Sequence, residues 1–202
     1  MRTKNRHLMI AAMLVVAATL TACGADADAP TVSSGTATTE QPGPTTHNDA
    51  DTEFAQMMIL HHLGAVEMAQ FAVENASSQE VRELADQIVG AQDPEITLMA
   101  GWLEAWGEDR PASAEHDGMD HGGMEMDGLD QSEAMAELES LTGDDVDRRF
   151  LELMTAHHRG AVEMSEELLD AGENGEAREL AQKIIRDQEA EIVTMGRLLR
   201  GL

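Results

Sequence analysis

The stretch LHHLGAVEM, Leu60 to Met68, returns 96 residues later as AHHRGAVEM, Ala156 to Met164. Extending the comparison outward aligns residues 54–103 with residues 150–199 without a gap. Phe54 falls on Phe150, Met58 on Met154, Arg82-Glu83-Leu84-Ala85 on Arg178-Glu179-Leu180-Ala181, and Gln92, Glu95, Ile96 and Met99 on Gln188, Glu191, Ile192 and Met195. A match of this length without a gap is the duplication of one supersecondary unit. At 100° per residue, Phe54, Met57, Met58, His61, Ala65, Met68 and Ala72 share one helical arc, with His62 at its edge. Phe150, Leu153, Met154, His157, Ala161, Met164 and Leu168 do the same, while Glu67 and Glu163 face away. Gly64 and Gly160 sit inside these helices at a cost of about 1 kcal/mol each relative to alanine, which close helix approach would offset.

Each unit reads as two helices. Ser77 and Glu80 have the spacing of a capping box between the first pair, and Gly172 suits a left-handed cap in the second. The second helix carries Val81, Leu84, Ala85, Ile88, Ile96, Met99 and Leu103 on one stripe. Pro94 predicts a kink there, or a restart capped by Asp93. Two amphipathic hairpins bury their faces on each other, so the expected fold is all-α: an antiparallel four-helix bundle with a pseudo-twofold axis. Its parts are hairpin 51–107, linker 108–144 and hairpin 145–202.

Methionine at helical spacing is usually core filler, and a single histidine on an apolar face is usually a core residue with one hydrogen bond. Four duplicated histidines are harder to accommodate that way, since an unsatisfied buried polar group costs roughly 1–3 kcal/mol. The candidate metal ligands are Met57, Met58, His61, His62, Met68 and Met99 in the first unit, and Met154, His157, His158, Met164 and Met195 in the second. Imidazole and thioether without thiolate form a soft donor set suited to Cu(I), and by the same softness to Ag(I). Zinc more often recruits cysteine or carboxylate, and calcium wants oxygen alone.

The net charge of -26 argues against nucleic acid as a partner and for an acidic surface that concentrates cations. Residues 1–22 read as a signal: Arg2, Lys4 and Arg6 precede an apolar run, Leu8 to Leu20, too short to span a bilayer comfortably. Leu20-Thr21-Ala22-Cys23 resembles a bacterial lipobox, which would make Cys23 the lipidated first residue and hold the protein at the membrane on its extracytoplasmic side. Residues 23–50, rich in Thr, Ala, Ser, Gly and Pro, read as a disordered tether with His47 incidental to function. The linker segment HDGMDHGGMEMDGLD, His116 to Asp130, lacks apolar periodicity and reads as mobile. Its His116, Met119, His121, Met124 and Met126 could wrap a metal ion and pass it to the bundle.

The motif HH-x-GA-x-x-M after a methionine-rich helix start resembles the family called domain of unknown function 305, over residues 50–202 and in both halves. That resemblance implies a ferritin-like four-helix fold and, from its copper-binding members of the CopM type, extracytoplasmic copper tolerance or sequestration. It falls on Met58, His61, His62 and Met68, then Met154, His157, His158 and Met164; Leu153 departs from it where the first copy has Met57. No Glu-x-x-His occurs in residues 50–202, which disfavours a di-iron site. A non-covalent haem bundle and a metal-free module that binds a cationic partner through the acidic face are the alternatives. No nucleophile with a base and an orienting partner is visible, so the expectation is a binding protein rather than an enzyme.

Overall fold

The computed structural model describes residues 45–111, 126 and 128–202, and within them it is helical. Four long helices, α1 (Asp49–Asn75), α2 (Gln79–Trp106), α4 (Asp144–Ala171) and α5 (Gly175–Leu199), form the two expected hairpins, with a short α3 (Gln131–Ser140) between them. The bundle is the expected all-α architecture. The predicted arcs are the buried ones: Phe54, Met58, Ala65, Met68 and Ala72 on α1, and Phe150, Leu153, Met154, Ala161 and Leu168 on α4, are all core residues. Glu67 and Glu163 are exposed.

Two buried aspartates at equivalent positions set the arrangement of the hairpins. Asp51, in the first turn of α1, accepts the backbone N–H groups of Glu173 and Asn174, just past the end of α4, at 3.1 Å. Asp147, in the first turn of α4, accepts those of Ser77 and Ser78, just past the end of α1, at 2.7 and 2.8 Å. Each helix therefore begins where the other ends, which makes α1 and α4 antiparallel and places the pseudo-twofold axis across their middles. α1 packs on α2 and on α4, and α4 packs on α5.

Local details differ from the sequence reading in several places. The cap of α2 is Ser78, whose hydroxyl accepts Val81 N–H at 3.4 Å, one residue later than the capping box expected at Ser77; Ser77 instead gives its N–H to Asp147. α2 runs unbroken through Pro94 with no restart at Asp93; Pro94 is exposed, so its ring has room on the solvent side. Gly172 is extended, φ −78°, rather than left-handed. It is glycine because a Cβ there would lie 2.6 Å from Asp51 Oδ1 and 2.5 Å from Leu168 Cδ1. The linker 108–144, to which the sequence reading gives no helix, contains α3, because Asp130 and Glu133 form a reciprocal capping box and Ala134 and Leu138, one turn apart, reach the core.

The tether boundary also moves. Asn48 caps α1 and donates to Ala171 O at 2.8 Å, and His47 stacks on Trp106 with centroids 4.6 Å apart. Gly64 is approached by the Gln131 side chain from α3, which donates to Gly64 O at 3.1 Å. That contact, rather than a neighbouring long helix, is what a Cβ at this position would meet. Among the described residues no helix is long and apolar enough to cross a membrane.

Candidate metal centre

The middle of the bundle is polar. His61 and His157 are equivalent residues at the midpoints of α1 and α4, and the twofold arrangement brings their rings into contact, 3.6 Å between centroids at an interplanar angle of 47°. His62 and His158 turn instead to the returning helix of their own hairpin. His62 Nε2 lies 2.8 Å from Glu95 Oε2 on α2, and His158 Nε2 lies 2.6 Å from Glu191 Oε2 on α5. All four histidines are buried, His62 completely, although the helical wheel places it at the edge of the stripe.

Burial decides the charge state of His157 and His62. It pushes His157 well below the ordinary histidine value, and the neighbouring His61, His158 and His62 push it further the same way. Burial also lowers His62, against the opposing pull of Glu95. Glu95 is raised by its own burial, but hydrogen bonds from His62 and from Lys183, whose Nζ is 2.8 Å from Oε1, hold it below the ordinary carboxylate range. At His62 and Glu95 the result is neutral imidazole beside ionised carboxylate, the state in which an imidazole nitrogen keeps a lone pair to donate.

Several of these atoms have nothing to bond. Nδ1 of His62, His157 and His158, both amide atoms of Gln92 and Oε1 of Gln188 are buried without a hydrogen-bond partner among the described residues. Each such atom costs roughly 1–3 kcal/mol if nothing occupies the space beside it. Gln92 and Gln188 are equivalent residues three positions before Glu95 and Glu191, so the same polar quartet is built twice. Unpartnered nitrogen donors at the centre of a bundle fit a bound ion. Among the described residues no group of three His, Cys, Asp or Glu could hold one, so the remaining donors would be sulfur.

The sulfur is arranged symmetrically on either side. Met58 and Met99 share one core cluster with Phe54 and Trp102, with the half-buried Met164 packed against it. Their equivalents Met154 and Met195 share the other with Met68. Each cluster thus takes two methionines from one hairpin and one from the other. Met126 and the half-buried Met135, both from the segment between the hairpins, join the second cluster and have no counterpart in the first. Met57 is buried but belongs to neither. His116, Met119, His121, Met124 and Cys23 lie outside the described residues.

The gapless repeat aligns Gln92 with Gln188 and Glu95 with Glu191 but gives them no role. The signal was there, because a glutamine and a glutamate had survived duplication beside an otherwise apolar stripe. Lys183 had no such signal, since its repeat partner is Gln87.

The family model described as "Domain of unknown function (DUF305)" matches residues 51–199. The chain belongs to this family. Among solved structures, a DUF305 protein from Streptomyces coelicolor is 35% identical with a TM-score of 0.65, over 75% of this chain and 93% of that one. A DUF305 fragment from Deinococcus radiodurans is 34% identical, also at 0.65, over 77% of this chain and 98% of that one. CopM in its Cu(II)-bound form is 32% identical at a TM-score of 0.63, over 75% of this chain and 96% of that one. CopM is also solved in Cu(I)-bound and Ag-bound forms. A comparison with curated proteins finds no match.

Proposed function

We propose that this DUF305 protein binds copper, taking Cu(I) and its soft analogue Ag(I) into the bundle through the central histidines and the flanking methionines. The observation that carries the reading is the buried His61–His157 contact, on helices that also carry the unpartnered Nδ1 atoms of His62, His157 and His158 and methionines of both core clusters. Imidazole and thioether together favour monovalent copper over zinc or calcium. The binding of copper and silver by CopM, at about the same similarity as the other family structures, supports the metal class.

The role is sequestration, with the ion held among side chains buried in the middle of the bundle. Lipidation at Cys23 would hold the protein on the extracytoplasmic face of the membrane, where its acidic surface draws cations. Anaerobic Cu(I) titration of the purified protein against a chromophoric chelator, followed by metal analysis after dialysis, tests the reading. The wild type should retain copper and the His61→Ala/His157→Ala variant should lose most of its affinity. Equal retention by both, or none by either, would overturn it.

A further inference from the structure

The central layer is built twice from the same four residues, and Lys183 adds a charge to one side of it. From α5 it crosses to the first hairpin's Glu95, with Nζ 2.8 Å from Oε1. The equivalent residue on α2 is Gln87, which has no charge to offer, and among the described residues no lysine or arginine pairs with Glu191. Glu95 therefore divides its charge between His62 and a cation, while Glu191, 22% exposed against 9% for Glu95, faces His158 at the shorter distance of 2.6 Å.

We propose that Glu95 and Glu191 are positioning residues that fix His62 and His158 as metal donors through Nδ1, and that Lys183 makes the two half-sites unequal, the His158 half taking the first soft cation. The half-site order rests on the copper-binding reading above; the positioning of the rings does not.

The geometry gives the reason. An ionised carboxylate only accepts hydrogen bonds, so the nitrogen facing it must carry the proton. Both rings place Nε2 against a carboxylate, and a neutral ring so held keeps its lone pair on Nδ1. Nδ1 is the atom that is buried without a partner in both. A carboxylate behind a ligating imidazole fixes its orientation and raises its basicity, and removing such a group typically costs about 10–100-fold in metal affinity. Lys183 weakens this push on one side only. Its side chain is 48% exposed, so solvent screens it and the difference between halves is a matter of severalfold.

Ag(I), which is not oxidised during titration, is the probe, added to protein labelled with ¹⁵N at histidine. Before silver, long-range ¹H–¹⁵N spectra should show His62 and His158 as Nε2–H tautomers, and Glu95→Gln and Glu191→Gln should release their partners into tautomer mixtures, an effect that a purely structural ion pair would not require. As silver is added, His158 should respond before His62. Glu191→Gln should weaken the first ion by about 10–100-fold, and Glu95→Gln by less. Lys183→Gln, a change on the partly exposed side that should leave the melting temperature near wild type, should bring the two responses together. An Nδ1–H tautomer at either ring overturns the positioning. His62 responding first, or Lys183→Gln leaving the order unchanged, overturns the inequality. Silver binding nowhere in the wild type, with both rings still Nε2–H, would overturn the copper reading and the half-site order together while supporting the positioning.

Discussion

Asp51 and Asp147 each anchor the turn of the hairpin to which they do not belong. Asp147 leaves two backbone N–H groups, of Ser77 and Ser78, dependent on one buried carboxylate. Asp51 serves Glu173, Asn174 and its own cap residue Asn48. Asp147→Ala should therefore destabilise by roughly 2–6 kcal/mol, since each orphaned donor costs about 1–3 kcal/mol. Asp51→Ala should cost at least as much. The two carboxylates share no partner, so the double variant should be additive within about 0.5 kcal/mol. Urea unfolding of the three variants checks this; a loss below about 1 kcal/mol for either single change would mean that solvent reaches the turns.

The neutral histidines tie stability to pH in the metal-free protein. His157 and His62 have folded-state values below the unfolded value of 6.5. Below that pH the unfolded chain takes up protons that the folded chain refuses, so stability is full above about pH 6.5 and falls as pH drops, until the folded values are reached. The groups facing His157 are His61 and His62 from α1 and His158 from its own helix; the three rings oppose its protonation, and a hydrogen bond to the His61 backbone works more weakly the other way. Each such histidine contributes a slope of about 1.4 kcal/mol per pH unit in that window. Glu95 adds a further loss below about pH 4.5, because its own folded value is depressed. The acidic surface works the other way by losing repulsion, so the measurement is the difference between wild type and His157→Met from pH 7.5 to 5. The variant should show about one proton less of slope; parallel curves would show that His157 is not held neutral.

Much of this was readable from the chain, and the reasons for the remainder are physical. The gapless repeat specifies two equivalent hairpins, and the wheel placed His61 and His157 on their buried faces, so a twofold alone brings them together. What pairs with His62 could not be read, because a wheel gives a direction on one helix and not the register of the next. Glu95 and Glu191 fall opposite only once the turns at residues 76–78 and 172–174 fix that register. Gly172 was read through its backbone freedom, whereas close approach by Asp51, 121 positions earlier in sequence, is what excludes a side chain. α3 escaped notice because two core contacts, Ala134 and Leu138, are too few to make a periodic pattern.

Met126 shows the linker acting as part of the core. It is almost fully buried beside Met68, Met154 and Met195, and its backbone pairs with Leu129 at 2.9 and 3.1 Å. A methionine so enclosed cannot also serve as a free capture arm without leaving the core. Met126→Ala should cost roughly 2–3 kcal/mol, within the range for truncating a buried methionine, and about as much as Met195→Ala. Denaturant titration of both variants decides the point; a Met126→Ala protein within about 0.5 kcal/mol of wild type would return this residue to the solvent-facing linker.

The glutamines of the central layer offer the sharpest contrast between stability and function. Gln92 buries both amide atoms without a partner, and Gln188 buries its carbonyl in the same way. A half-satisfied polar group in a bundle core is less stable than an apolar one of the same volume. Gln92→Met keeps the volume and removes the unsatisfied atoms, so the metal-free variant should be more stable than wild type by about 1–3 kcal/mol. Gln188→Met, which relieves only one such atom, should gain less. If the glutamines are kept because they face a bound ion or its ligands, the extra stability conferred by Ag(I) should shrink in Gln92→Met even as the metal-free melting temperature rises. Calorimetric melting with and without silver measures both at once. A metal-free Gln92→Met protein that melts below wild type would show that ordered water already satisfies the amide, leaving the middle of the bundle a hydrated layer rather than one waiting for a cation.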